Sequence, residues 1–258
     1  MRIDNELVNR GLFTTRAKAQ AAIKDGIVFC NDKLINKNSF DVKEEDKLEI
    51  KGEVMPYVSR GGLKLEKAIN VFCVNLKDRV MIDIGSSTGG FTDVALKNGI
   101  KKVIAVDVGS DQMDPSLRNH EKVDLHESTD FREMDNEILN EADFASIDVS
   151  FISVTKIIDK FEDLKNLKEV VCLIKPQFEC GVEAARKYKG IINDEKIHNE
   201  VISNVIEAFS NINFGIVDLT SSPIKGGDGN TEYLAHFLKG AESKITKVDI
   251  SLLVKENF

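Results

Sequence analysis

Apolar positions follow two regimes along the chain. Through residue 51 they come in short, interrupted groups, and from residue 60 onward apolar runs alternate with amphipathic stretches. In the first regime Asp4 is placed to cap a short helix bearing Leu7 and Val8 and ending near Gly11. Thr14 or Thr15 can cap a second helix, Arg16 to Lys24, with Ala19, Ala22 and Ile23 on one side and Gly26 just past its end. Ile27-Val28-Phe29-Cys30 reads as a strand, Asn31-Asp32 as a turn and Leu34-Ile35 as the return. Asp46 to Ile50 alternates like a strand with one wet face. Two small helices and a short sheet hold too little core for an enzyme. Residues 52–59 read as a linker, with Pro56 disfavouring helix.

The second regime predicts strands at Val80–Ile84, Val103–Val108, Val123–Glu127, Phe144–Asp148, Val170–Lys175, Phe214–Leu219 and Glu232–Leu238. Helices are expected between them, among them Ile152–Leu164, Phe131–Leu139 and Glu195–Phe209. Alternating β and α elements predict an α/β domain, residues 60–240, around a mostly parallel sheet covered on both faces. The last two strands are joined only by a turn-rich segment, so the seventh strand should run antiparallel. The tail, 241–258, alternates at Val248, Ile250, Leu252 and Val254 and has no assigned place.

Composition adds exclusions. Of 258 residues 42% are hydrophobic and 30% charged, which is ordinary globular usage. No apolar run approaches the roughly 18 residues needed to span a bilayer, and the N-terminus has no signal-peptide core. Cys30, Cys73, Cys172 and Cys180 form no CxxC pair, so reduced thiols in a cytoplasm are expected. The net charge of −8 is uneven: residues 1–70 carry 13 Lys+Arg against 11 Asp+Glu, and the remainder 22 against 32. Any nucleic-acid contact must then use local basic patches biased to the N-terminal part.

The first strand of the large domain leads into Asp83-Ile84-Gly85-Ser86-Ser87-Thr88-Gly89-Gly90-Phe91, and Asp107 ends the second strand, 22 residues beyond Gly85. In doubly wound sheets a ligand sits at this first loop, and an acidic residue at about that spacing receives ribose hydroxyls. The loop reads GxxxGG, not GxGxxG. That favours S-adenosylmethionine over a dinucleotide, because this donor has no pyrophosphate. Asp83 could take its ammonium and the loop N–H groups its carboxylate. Asp130 after the third strand could bond an adenine amino group or cap a helix; local sequence leaves both open. Asp148, Lys175 and Glu232 stand at the same strand edge. Lys64 precedes the first strand, where it is either the wet face of a helix or a fourth member of that group.

The strings YVSRGGLKLEKA, DIGSSTGGFTDVAL, AVDVGSDQM, IDVSFISV, LIKPQFECG and GNTEYLAHFL carry a resemblance. In order, they resemble the TlyA, or hemolysin-A-type, ribosomal RNA methyltransferases, whose catalytic domain is FtsJ-like. Residues 1–51 resemble the S-four-type RNA-binding domain, fitting at Arg2-Ile3-Asp4, Arg16, Ala19, Gly26 and Val28. The resemblance implies a Rossmann-like S-adenosylmethionine methyltransferase sheet and ribose 2′-O-methylation of ribosomal RNA or ribosomal subunits. It also implies a tetrad of Lys64, Asp148, Lys175 and Glu232. Lys175 would orient or deprotonate the 2′-hydroxyl while the other three hold it in place. No metal or membrane enters this scheme. Arg10, Arg16, Lys18, Lys24 and Arg60 are the candidate RNA contacts. The chain departs from the family at Lys187–Glu195, where Asn193 replaces an arginine, and at Gly109–Pro115, which bears on substrate choice. Two other readings remain: a non-catalytic RNA-binding assembly protein with a methyltransferase fold, and a membrane-active hemolysin.

Overall fold

The computed structural model describes residues 1–13, 15–52 and 55–258, which divide into one unit over Met1–Val58 and another over Ser59–Phe258. The first unit joins helices α1 (Ile3–Asn9) and α2 (Arg16–Lys24) to a three-stranded antiparallel sheet of β1 (Val28–Cys30), β2 (Lys33–Leu34) and β3 (Leu48–Ile50). Thr15 caps α2 through the Lys18 N–H, while Thr14 lies outside the described residues. Asn31 and Asp32 make the β1–β2 turn with φ of 48° and 64°, the left-handed values that match the twist of a tight hairpin.

Asp4 does not cap α1. Arg2 occupies the cap position without a side-chain bond, and Asp4 is buried inside the helix. Its carboxylate accepts from Arg2 (3.0 and 3.1 Å), Arg16 (2.9 Å) and Gln20 (2.7 Å), which hold it well below the usual carboxylate range. Two of those donors lie a helix away, so no local pattern announces them.

The second unit begins with α3 (Gly62–Phe72), then runs β4 (Val80–Ile84), α4 (Gly90–Lys97), β5 (Lys102–Val106), α5 (Pro115–Arg118), β6 (Val123–His126), α6 (Asn136–Leu139) and β7 (Phe144–Ile147). It continues with β8 (Glu169–Ile174), α7 (Pro176–Glu179), α8 (Gly181–Lys187), α9 (Glu195–Asn211), β9 (Phe214–Ser221), β10 (Tyr233–Lys239) and α10 (Lys247–Lys255). The sheet order is β6-β5-β4-β7-β8-β10-β9, with β10 antiparallel to both neighbours and the other pairings parallel. This is the Rossmann-like seven-stranded arrangement expected of the α/β pattern. Because β4 pairs with β5 on one side and β7 on the other, the chain reverses direction across the sheet there, and a crevice opens at the carboxyl ends of β4 and β7. β10 starts at Tyr233, opposite Ile174, so its beginning lies at that same edge.

Some helices differ from expectation. Residues 152–164 form two 3₁₀ turns, Val154–Lys156 and Ile158–Asp163, instead of one α-helix. Val154, Ile157, Ile158 and Phe161 are still buried, but the β-branched run has weak helix propensity. Residues 131–139 likewise split, with Asp130 capping a 3₁₀ turn and Asp135 capping α6. The alternation in the tail is helical: Ile250 and Val254 are buried, Val248 and Leu252 exposed, and a Thr246–Asp249 capping box starts α10. No helix among the described residues is long and apolar enough to cross a membrane.

Candidate functional site

Gly85 closes β4 with φ +82°, a left-handed value, and a Cβ there would come within 2.6 Å of the Asp148 carbonyl. Only glycine lets the loop turn this close to the end of β7. Gly85 and Ser86 N–H groups donate to the Val106 carbonyl, fastening the loop to β5. Gly90 opens α4, and a Cβ on it would meet Ser59 Oγ at 2.4 Å.

Two cavities meet along this loop. The first, about 410 Å³, is lined by Gly85, Ser87, Asp107, Asp130, Val149 and Ile152 among others. The second, about 340 Å³, is lined by Ser86, Thr88, Gly90, Phe91, Lys64, Asp148, Lys175 and Glu232 among others. Gly85, Ser87, Asp148, Ser150 and Phe151 belong to both. An elongated ligand entering the first cavity therefore ends against the ionic groups of the second.

Asp107 accepts from the Ser87 N–H through Oδ2 (2.8 Å) and from the Gly109 N–H through Oδ1 (2.7 Å), a fixed carboxylate on the first cavity wall. Asp130 lines the same cavity and caps the following 3₁₀ turn, accepting from the Arg132 N–H and pairing with its guanidinium. Asp83 and Gly89 line neither cavity. The Asp83 carboxylate is fully buried beneath the loop, accepting from Thr92 Oγ1 (2.7 Å) and Ser146 Oγ (3.0 Å), and burial pushes its pKa up to about 6. Its place is a support under the loop, outside the lining of both cavities. Gly89, with φ +88°, sets the entry into α4.

The four ionic residues converge. Lys64, on the first turn of α3, donates to Glu232 Oε2 at 2.8 Å and lies 3.7 Å from Asp148 Oδ2. Lys175 Nζ lies 2.6 Å from Asp148 Oδ1, and its aligned hydrogen bond goes to Ser150 Oγ at 3.0 Å. Asp148 Oδ1 is thus a buried acceptor with no aligned donor. Lys64, Lys175 and Glu232 are buried, so these charges face one another instead of water.

Several neighbours were not singled out from sequence. Ser150 and Gln177, which donates to Glu232 Oε1 at 2.9 Å, sit two residues beyond Asp148 and Lys175. Gln112 accepts from Ser87 Oγ at 3.0 Å. Burial works against the Glu127 charge, but the Met113, Asp111 and Gln112 N–H groups and Arg118 hold that carboxyl at about 2 and fix the Gln112 segment. Only spacing after the strand ends could have flagged Ser150 and Gln177.

Of the candidate RNA contacts, Lys18 and Lys24 are exposed in the first unit and Arg60 is exposed in the second. Arg16 shares the Asp4 carboxylate. Arg10 is a brace: it donates to Glu6 Oε1 and to the carbonyls of Asp46, Lys43 and Glu44. Its Nε, Nη1 and Nη2 all donate within the unit.

Residues 57–239 match the FtsJ-like methyltransferase family, and residues 1–48 match the S4 domain. The chain belongs to the FtsJ-like methyltransferases. It is 42% identical over 241 residues to hemolysin A of Brachyspira hyodysenteriae, covering 92% of this chain and 100% of that one. It is 36% identical over 252 residues to the 23S rRNA (cytidine-2′-O)-methyltransferase TlyA of Campylobacter jejuni, covering 90% and 97%. A solved chain from Streptococcus thermophilus described as a hemolysin superposes with a TM-score of 0.77 at 39% identity, covering 99% of this chain and 94% of that one. A methyltransferase domain preceded by an S4 RNA-binding domain makes this chain an RNA methyltransferase, and S-adenosylmethionine is its cofactor. The residues present fit that donor. Among the described residues Ser86 Oγ is buried on the second cavity wall without a hydrogen-bond partner, and the loop residues Gly85 and Ser87 line both cavities.

Proposed function

We propose that this protein methylates a ribose 2′-hydroxyl of ribosomal RNA, using S-adenosylmethionine held by the loop Gly85–Phe91 and by Asp107. The observation that carries the reading is the convergence of Lys64, Asp148, Lys175 and Glu232 on one wall beside that loop. Relatives named as ribosomal RNA 2′-O-methyltransferases support the substrate.

When bound, the cofactor supplies a methyl group already activated on a sulfonium. The chain's residues then have to align and deprotonate a weak nucleophile. Lys175 orients the 2′-hydroxyl and, where it enters the step as the neutral amine, receives its proton, with Asp148 2.6 Å away to offset the charge that forms. Ser150 fixes the amine from a second side. Glu232, held by Lys64 and Gln177, fixes the far wall. Residues 1–51 take the RNA-binding role, residues 52–59 tether them, and Lys18, Lys24, Arg16 and Arg60 meet phosphates and not base edges. With ribosomal RNA as substrate, the place of action is the cytoplasm.

The test is transfer of labelled methyl from S-adenosylmethionine to ribosomal RNA or subunits, followed by nucleoside mass spectrometry. A 2′-O-methylated nucleoside is expected, and Lys175→Ala should abolish it. A base-methylated product, no transfer to any subunit, or a fully active Lys175→Ala would overturn the reading.

A further inference from the structure

Phe151 has φ +65°, a left-handed conformation that an aromatic residue adopts only under constraint, and it sits between Asp148 and the Val154 turn. A strained residue persists where its surroundings over-determine it. The 148–154 segment ends on Glu179. That side chain accepts from the Val154 N–H through Oε1 at 2.8 Å and from Ser153 Oγ through Oε2 at 2.5 Å. Glu179 is the last residue of α7, the helix that Lys175 begins, and its own N–H donates to the Lys175 carbonyl at 3.1 Å. The Phe151 and Phe178 rings, 5.1 Å apart, and the Lys175–Ser150 bond bridge the same two segments.

We propose that Glu179 is a positioning residue: by clamping Ser153 and Val154 to the end of α7, it sets the register of Asp148 and Ser150 against Lys175. The inference rests on the methyl-transfer reading above. Asp148 and Lys175 stand at the ends of different strands, Asp148 leading into the bend at Phe151 and Lys175 into the single helical turn of α7. Without a strut beyond those turns, relaxation of Phe151 to an ordinary φ would rotate the segment behind Asp148. Glu179 is mostly out of contact with water, and burial pushes its pKa up, so the clamp needs its acceptor geometry more than its charge. A glutamine keeps the carbonyl for the Val154 N–H and offers an N–H to Ser153 Oγ, which can turn its own proton to Thr155 Oγ1 at 2.7 Å.

The experiment compares Glu179→Ala, Glu179→Gln, Ser153→Ala and Lys175→Ala in the full chain. It measures kcat for methyl transfer, RNA affinity by fluorescence anisotropy, and thermal unfolding. Glu179→Ala should lower kcat about 10- to 100-fold with RNA affinity retained, the scale expected for a reacting group displaced by about 1 Å. Glu179→Gln should recover most of the loss. Ser153→Ala, which removes one of the two bonds, should lower kcat roughly threefold to tenfold. Parental kcat in Glu179→Ala, or a Glu179→Gln as impaired as Glu179→Ala, overturns the clamp. If Glu179→Ala does not fold, parental kcat in Ser153→Ala overturns it. An active Lys175→Ala would instead refute the methyl-transfer chemistry, so the two failures are distinguishable.

Discussion

Lys64 and Glu232 are joined by a buried 2.8 Å hydrogen-bonded ion pair across 168 residues of sequence. The pair closes the wall of the second cavity by tying α3 to the start of β10. Removing Glu232 leaves Lys64 buried with only its longer 3.7 Å pairing to Asp148, a penalty of up to about 3–5 kcal/mol, whereas replacing both with apolar residues of similar volume is often neutral. Glu232→Ala should therefore lower the urea midpoint of unfolding strongly. A Lys64→Met, Glu232→Leu double variant should recover most of that loss and still transfer no methyl groups. Equilibrium unfolding and activity measured on the same preparations check both halves; an active double variant would remove the pair from the catalytic site.

Asp83 predicts a distinct pH signature. Its folded carboxyl titrates at about 6, through burial, against an unfolded value near 4. Between those values the folded state holds more protons than the unfolded state, so stability falls as pH rises and the loss is complete above pH 6. The shift corresponds to roughly 3 kcal/mol. Asp83→Asn keeps an acceptor for Thr92 and a donor for Ser146 without the charge. Unfolding by urea at pH 4.5 should show little difference between parent and variant, and at pH 7.5 the variant should be more stable by up to that amount. Equal stability at both pH values would show that the buried carboxylate is not under this penalty.

What the sequence reveals here depends on how local each cause is. Asp148 and Lys175 are legible because each ends an apolar strand at the edge where doubly wound sheets bind ligands. The mostly parallel sheet with an antiparallel last strand follows from the β/α alternation and the helix-free, turn-rich β9–β10 connection. Lys64 is not legible from periodicity, since its burial is made possible by Glu232 far along the chain. Asp4 has the same character, its donors Arg16 and Gln20 standing on another helix. The tail shows the converse: Ile250 and Val254 face inward at helical spacing, but period-two and period-four patterns coincide at Val248, Ile250, Leu252 and Val254.

Arg10 and the lysines of α2 should separate cleanly in solution. The Arg10 guanidinium donates to one carboxylate and three backbone carbonyls, tying α1 to the segment before β3. Arg10→Ala leaves those carbonyls to water and should destabilise the Met1–Val58 unit, read as greater susceptibility to limited proteolysis. RNA affinity of the folded molecules should change little. Lys18 and Lys24 are exposed, so Lys18→Ala and Lys24→Ala should leave proteolysis unchanged and weaken RNA binding. If each contacts one phosphate, each substitution lowers the slope of log affinity against log salt by roughly 0.7–0.9, because one fewer counterion is displaced. Anisotropy titrations at several salt concentrations read this directly. An Arg10→Ala protein with intact protease resistance and a reduced salt slope would move Arg10 from brace to phosphate contact.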